Sequence, residues 1–424
     1  MISLGCSKNR VDSEKILSCL RDAGFTITND QARADVVIVN TCGFITSAKE
    51  ESINAILEVA QTKKEDALLA VTGCLAQRYL KELQEELPEV DIFHGVGSPE
   101  ALVEKIRAAF GESGAVFYCG SRVLTTPSYS AYLRIADGCD NRCTYCAIPL
   151  IRGGRKSVPM ETLVAEAQSL ASGGVKELTL IAQDTSAYGA ELYGRPSLAQ
   201  LLEKIAGIDC LKWIRVLYAY PNTIDEALVD TMLRHDNIVK YIDMPIQHID
   251  PAMLKRMNRH GTAEHIRKIT EYIRRASPDF ILRTTVMTGF PGETEEQFVR
   301  LAEFLKGHPF DRVGAFVFSP EDGTPAAQFP DAVDEAVAQK RLDILMRNQR
   351  GISRRLNEGR VGKEYEALVE EINGTTALCR SYAEAPEVDG KIAVSGAALH
   401  IKPGDFIRVR IVSAGAYDLK GEAL

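Results

Sequence analysis

The sequence has no surplus of positive charge. Its 424 residues carry 50 Lys and Arg against 58 Asp and Glu, a formal net charge of −8. That excludes a generally basic chain that grips polyanions through charge alone. It also has no apolar run near the roughly 18 residues of a membrane-spanning helix, and no charged start followed by an apolar centre of the secretory kind. No internal repeat or low-complexity tract is evident. These absences lead us to expect a soluble, cytoplasmic chain with no membrane partner. Cysteine is scarce as well: ten in 424 residues is far below the density of a disulfide-stapled scaffold. Any grouping of cysteines therefore points to metal or redox chemistry. What is present is ordinary for a globular protein, 45% apolar and 25% charged, and the length suits two or three domains with cores of their own.

Hydrophobic patterning divides the chain. Residues 1–115 alternate short apolar runs (Ile2 to Leu4, Asp35 to Asn40, Leu68 to Thr72, and one near Ile92) with helical segments (Val11 to Ala23, Ser47 to Gln61, Gln77 to Leu87, Pro99 to Phe110). This predicts an α/β domain, an open parallel sheet with helices. Asn9 with Asp12 three residues on reads as a capping box, and Pro99 suits a first helical turn. Residues 116–128 read as a linker. From 129 to 356, strand candidates begin near Tyr132, Glu177, Ile214, Tyr241, Ile281 and Val313, each followed by an amphipathic stretch. Six such units predict a partial (β/α) barrel, whose chemistry belongs at the carboxyl ends of its strands. Residues 357–424 change to short alternating runs (Glu366 to Val369, Thr376 to Cys379, Phe406 to Val412), which fit a small antiparallel β-barrel.

Six cysteines fall into two groups. Cys139, Cys143 and Cys146 form a C-x3-C-x2-C loop directly after the strand YLRIADG. Three thiolates so close suit one soft metal centre. A closed zinc site needs four ligands, and no His or Cys follows within about sixty residues. A four-iron four-sulfur cube on three cysteines leaves one iron open to a substrate or cofactor; zinc or simple packing is the alternative. Cys6, Cys42 and Cys74 are distant in sequence, yet each follows a buried-type strand within two residues. Parallel neighbouring strands would bring all three thiols to one sheet edge, where open sheets bind ligands. The alternative is buried cysteine used as a small hydrophobe. Cys19 falls on an apolar helix face with Ile16 and Leu20 and reads as core. Cys119, Cys210 and Cys379 have no partner in view.

The first loop resembles that of the radical S-adenosylmethionine superfamily. The resemblance implies that S-adenosylmethionine occupies the open iron and is split by one electron to give a 5′-deoxyadenosyl radical. Tyr145 resembles the aromatic position near adenine. Gln183, with Asp184, stands where the superfamily contacts the methionine amino group, although the usual Gly-Gly-Glu is absent. Gln247 matches a ribose-contacting position, and VMTGFPGE, with Gly289 and Glu293, resembles the cofactor-supporting fifth-strand motif. A second-shell or turn role is the alternative for each of these polar side chains. His248 could approach the cofactor or be a hydrogen-bonded structural residue.

SLGCSKNRVDSE, NTCGFITSAKEESI and VTGCLAQRY resemble the amino-terminal domain of the methylthiotransferases, and the C-terminal barrel resembles their TRAM domain, a substrate-binding barrel. The resemblance implies two 4Fe-4S clusters with three Cys ligands each, one for radical generation and one for sulfur delivery, facing each other from different domains. IAQDTSAYG, LYAYPN, TGFPGETEEQF and FSPEDGTPAA look most like the RimO branch, which methylthiolates the β-carbon of an aspartate in ribosomal protein S-twelve. Ser7 stands where that branch often has Pro. The implied partners are that protein or the assembling small subunit, an electron donor such as flavodoxin or ferredoxin, and a sulfur donor. Arg152 and Arg155, just past the loop, could hold the substrate carboxylate. The rival readings are the same chemistry on adenosine of transfer RNA, and a two-cluster electron-transfer or sulfur-carrier protein. From Glu358 onward eight basic residues face eleven acidic ones, which suits a basic protein loop better than RNA.

Overall fold

The computed structural model describes residues 1–112, 122–396 and 400–424; part of the expected linker, with Cys119, lies outside them. The chain divides into two compact units. The first comprises Met1–Thr126 together with Asp137–Lys156 and Ser319–Ala327. Its sheet runs in the order β1 (Ile2–Ser3), β2 (Val36–Thr41), β3 (Leu68–Gly73), β4 (Ile92–Phe93), all parallel. The pleat sorts the apolar runs by parity. Val37, Val39, Leu69 and Val71 pack with Ile56 and Val59 of the helix Thr46–Thr62. Ile38 and Ala70 take the opposite face, with Ile16, Cys19 and Leu20 of the helix Ser7–Asp22 and Leu102, Val103 and Ile106 of Pro99–Ala109. Covering both faces is what an all-parallel sheet requires.

Two local expectations are corrected. The stretch read as one helix from Gln77 is two, Cys74–Arg78 and Leu80–Glu86, broken at Tyr79 with φ −128°. Apolar spacing does not register such a break, because both pieces face the same core. The capping box does not form. The first helix starts at Ser7 behind an extended Cys6, so Asn9 sits inside the helix and its side chain bonds elsewhere.

The second unit holds six parallel strands in sequential order: β5 (Ser130–Arg134), β6 (Glu177–Ile181), β7 (Trp213–Val216), β8 (Ile238–Asp243), β9 (Ile281–Thr288) and β10 (Arg312–Val317). The six-unit open barrel expected from the alternation is therefore present. Five further strands, β11 (Glu364–Asn373), β12 (Thr376–Ser381), β13 (Ile392–Ser395), β14 (Phe406–Ala414) and β15 (Leu419–Ala423), close into a small barrel. One pair, β13 with β15, is parallel, so the barrel is not antiparallel throughout. Those two short strands carry too few alternating residues to stand out in the sequence.

The small barrel docks on the amino ends of the six strands. Glu177, the first residue of β6, is fully buried and accepts from Arg215 (3.1 Å) and Arg380 (2.6 Å). Trp213 meets Phe406 edge to face at 4.9 Å. Tyr132 and Tyr241 donate to Glu387 (3.1 Å) and Asp389 (2.7 Å) from the connection after β12.

Candidate active site

In the first unit, the parallel register brings Cys6, Cys42 and Cys74 to the carboxyl edge of β1, β2 and β3, each immediately after its strand or within three residues of it. Close backbone approach packs these strand ends together. A Cβ on Gly5 would lie 2.8 Å from Cys42 Cβ and 3.0 Å from its Sγ, and one on Gly43 would lie 2.8 Å from Leu75 Cα. Asn9 ties the three ends: Nδ2 donates to Leu4 O (3.1 Å) and Thr41 O (2.9 Å), while Oδ1 lies 3.5 Å from Cys74 Sγ. Ser52 bonds both backbone groups of Cys42 at 3.0 Å. Cys42 and Cys74 are buried and Cys6 is exposed, so the triad opens on one side. Burial pushes the Cys74 thiol up to about 11, against the opposing pull of the Arg152 cation, and raises Cys42 as well.

The loop with Cys139, Cys143 and Cys146 belongs to the same unit. It closes on itself. Cys139 N donates to Gly153 O (3.1 Å), Cys146 N donates to Cys143 O (3.0 Å), and Asp140 Oδ1 accepts from Arg155 N (3.1 Å). A Cβ on Gly138 would lie 2.2 Å from Gly154 O. Tyr145 is half-buried between the last two cysteines. The segment Ser319–Ala327 braces this arrangement. Ala326 N donates to Thr144 O (2.9 Å), and the buried Glu321 accepts from Lys49 (3.1 Å) and Arg78 (2.9 Å).

The sequence position of Arg152 allows it to hold a substrate carboxylate, and the structure shows what its guanidinium engages within the chain. Its side chain is 1% exposed and bonds Asp137 (2.9 Å), Asp12 (2.8 Å) and Asn9 (2.8 Å), so the chain's own acids fill the guanidinium. Arg155 pairs with Asp140 at 3.3 Å.

The donor set fits open-iron clusters. Each triad offers three thiols, none of the six is in a disulfide, and Cys19 and Cys379 are buried in other cores while Cys210 is exposed in the second unit. Among the described residues no three His, Cys, Asp or Glu side chains converge as they would on a single ion. A cube differs in needing no common point, because each thiolate meets a different iron.

In the second unit, Gln183, Gln247 and Gly289 all stand at carboxyl ends of strands. Gln247 holds φ +65°, is 8% exposed, and bridges to Val286; its Oε1 has no hydrogen-bond partner among the described residues. A left-handed glutamine is a strained backbone kept in place by its surroundings. Gly289, φ +71°, donates its N–H to Glu293 Oε2 (2.8 Å), which also accepts from Arg341 (2.8 Å). Glu293 Oε1 accepts from His248 (3.3 Å), whose Nδ1 takes the Asp250 N–H (2.9 Å). Both Glu293 oxygens are thus engaged within the chain, and Glu293 and His248 shape the turn. Asp184 is likewise a turn residue, accepting from Ser186 Oγ (3.0 Å) and Ala187 N (3.2 Å).

Sequence reasoning missed Asn9, Asp12 and Asp137. One signal was available: Gly immediately precedes Cys at 5, 73 and 138, and all three glycines have positive φ.

Residues 1–95 match the Uncharacterized protein family UPF0004, residues 133–305 the Radical SAM superfamily, and residues 361–424 the TRAM domain. Over its full length the chain is 46% identical to the ribosomal protein uS12 methylthiotransferase RimO of Desulforamulus reducens, covering 98% of it. The protein of that name in Clostridioides difficile is also 46% identical, with the same coverage of each chain. Among solved structures, the radical S-adenosylmethionine methyltransferase TsrM from Kitasatospora setae, with cobalamin and a 4Fe-4S cluster bound, shares the fold. Its TM-score is 0.56 over 77% of this chain and 71% of that one, at 15% identity.

Proposed function

The chain belongs to the family of ribosomal protein uS12 methylthiotransferases, and from that membership we propose that it methylthiolates uS12 using one 4Fe-4S cluster on each cysteine triad. The observation that carries the two-cluster reading is the pair of triads in one compact unit, each with three thiols gathered on close-packed backbone. When bound, an open-iron cluster on Cys139, Cys143 and Cys146 supplies the electron that splits S-adenosylmethionine, while one on Cys6, Cys42 and Cys74 holds the sulfur to be inserted.

The chain's own residues supply binding and orientation. Asn9 and Ser52 fix the strand ends that carry Cys6, Cys42 and Cys74. Burial of Cys42 and Cys74 keeps water from their side of the triad. Gln247 Oε1 is an acceptor for a ribose hydroxyl, and the turn at Gly289, held by Glu293, keeps the neighbouring strand end in place. Tyr145 and Gln183 are the further cofactor contacts of this reading. The modified atom is the β-carbon of an aspartate in uS12, taken as free protein or assembling subunit. A flavodoxin or ferredoxin supplies electrons and a separate donor the sulfur, in the cytoplasm. The acidic balance of the C-terminal barrel favours this basic protein over transfer RNA.

The test is anaerobic incubation with reductant, S-adenosylmethionine and uS12, comparing the wild type with the joint variant Cys6→Ala, Cys42→Ala, Cys74→Ala. Both form 5′-deoxyadenosine, and the wild type alone forms methylthiolated uS12. No 5′-deoxyadenosine from either supports a carrier instead; product from the variant refutes the division of labour.

A further inference from the structure

Arg152 ends the short helix Ile148–Arg152 that follows the second triad, and its guanidinium reaches into the scaffold of the first. One terminal nitrogen bonds both oxygens of Asp137, at 3.1 and 2.9 Å, two residues before Cys139. The other bonds Asn9 Oδ1 (2.8 Å) and Asp12 Oδ2 (2.8 Å) on the helix that begins after Cys6, and lies 3.5 Å from Cys74 Sγ. Ala147 and Ile151, five residues and one residue earlier, pack against Cys74 itself. Only the fork of a guanidinium serves four such acceptors at once. The group is 1% exposed, so solvent and salt screen its charge little.

Resting on the two-cluster reading, we propose that Arg152 is a positioning residue: it holds the second triad's loop against the first triad and, as a fixed buried cation at Cys74, raises the reduction potential of the amino-terminal cluster. A cation beside a ligand sulfur favours the more negative, reduced state of the centre. Asp12 and Asp137 temper that effect, so removing Asp12 acts in the opposite direction to removing Arg152.

The test uses the full chain, reconstituted anaerobically, with iron and sulfide counted before each titration. The potential of the amino-terminal cluster is read by electron paramagnetic resonance in a background with Cys139, Cys143 and Cys146 changed to Ala. We expect Arg152→Gln to shift its reduction equilibrium at least tenfold toward the oxidised form, about 59 mV for one electron. Arg152→Lys, which keeps the charge without the fork, recovers most of that shift. Asp12→Asn moves the midpoint upward. An unchanged midpoint in a fully loaded Arg152→Gln chain overturns the proposal. If that variant fails to load, Asp12→Asn decides, and no upward shift there overturns it as well. A wild-type count of about four irons, rather than about eight, overturns the two-cluster reading and this proposal with it, and the metal count alone identifies that failure.

Discussion

Replacing Gly5 by alanine adds one methyl group, and the structure says where it goes: 2.8 Å from Cys42 Cβ and 3.0 Å from Cys42 Sγ. Carbon atoms in contact sit at roughly 3.5–4.0 Å, so either strand end must retreat by most of an ångström. Overpacking of this kind costs about 1–3 kcal/mol. The backbone adds its own penalty, because Gly5 holds φ +85° and an L-residue in the left-handed region costs about 1–2 kcal/mol. The sum, about 2–5 kcal/mol, falls on the edge that gathers Cys6 and Cys42 and is smaller than the ~5–15 kcal/mol of a typical domain. The chain should therefore fold with its first triad splayed. Gly138→Ala is the mirror experiment, its Cβ meeting Gly154 O at 2.2 Å with φ +72°. Iron and sulfide content, 5′-deoxyadenosine and methylthiolated product separate the two. Gly5→Ala keeps about half the iron, cleaves S-adenosylmethionine and makes no product, whereas Gly138→Ala loses cleavage. A Gly5→Ala chain with its full metal complement and normal product would refute the packing argument.

Three further perturbations have defined outcomes. Glu177→Ala strands the buried Arg215 and Arg380, and should lower stability by about 3–5 kcal/mol in chemical denaturation, with iron loading at the triads retained until the chain unfolds. Burial works to raise the Glu384 carboxyl, but Arg360 and Arg312 outweigh it and hold it at about 2, below its ordinary 4.5. A depressed carboxylate stabilises the fold above its unfolded value. About 3 kcal/mol should therefore be lost as pH falls from 4.5 towards 2, and Glu384→Gln should flatten that part of the stability profile. Gln247→Gly relieves the left-handed strain and should stabilise the chain by up to about 1 kcal/mol, while weakening S-adenosylmethionine binding in a direct titration. Unchanged affinity there would remove Gln247 from the cofactor site.

The sheets announced themselves because parallel strands buried on both faces must be continuous apolar runs. Val36–Thr41 and Leu68–Gly73 could be read to within a residue for that reason. The placement of Cys6, Cys42 and Cys74 just past strand ends was equally readable, since the apolar runs fix where those strands stop. What stayed hidden depends on contacts between residues far apart in sequence. Asn9 looked like a helix cap because its acceptors, Leu4 O and Thr41 O, are backbone atoms that no side-chain pattern reports. The partners of Arg152 were hidden too, because nothing local shows its bond to Asp12, 140 residues away. The docking of the small barrel was hidden likewise, as Glu177 and Arg380 are 203 residues apart.

Membership of the uS12 methylthiotransferase family means that this chain inserts a methylthio group into ribosomal protein uS12. Intact-mass and fragment analysis of uS12, after anaerobic incubation with reconstituted enzyme, reductant, sulfide and S-adenosylmethionine, tests it most directly. The expected result is the mass of SCH3 in place of one hydrogen, localised to a single aspartate and absent from transfer RNA treated in parallel. The same adduct on the RNA, with uS12 unmodified, would contradict it.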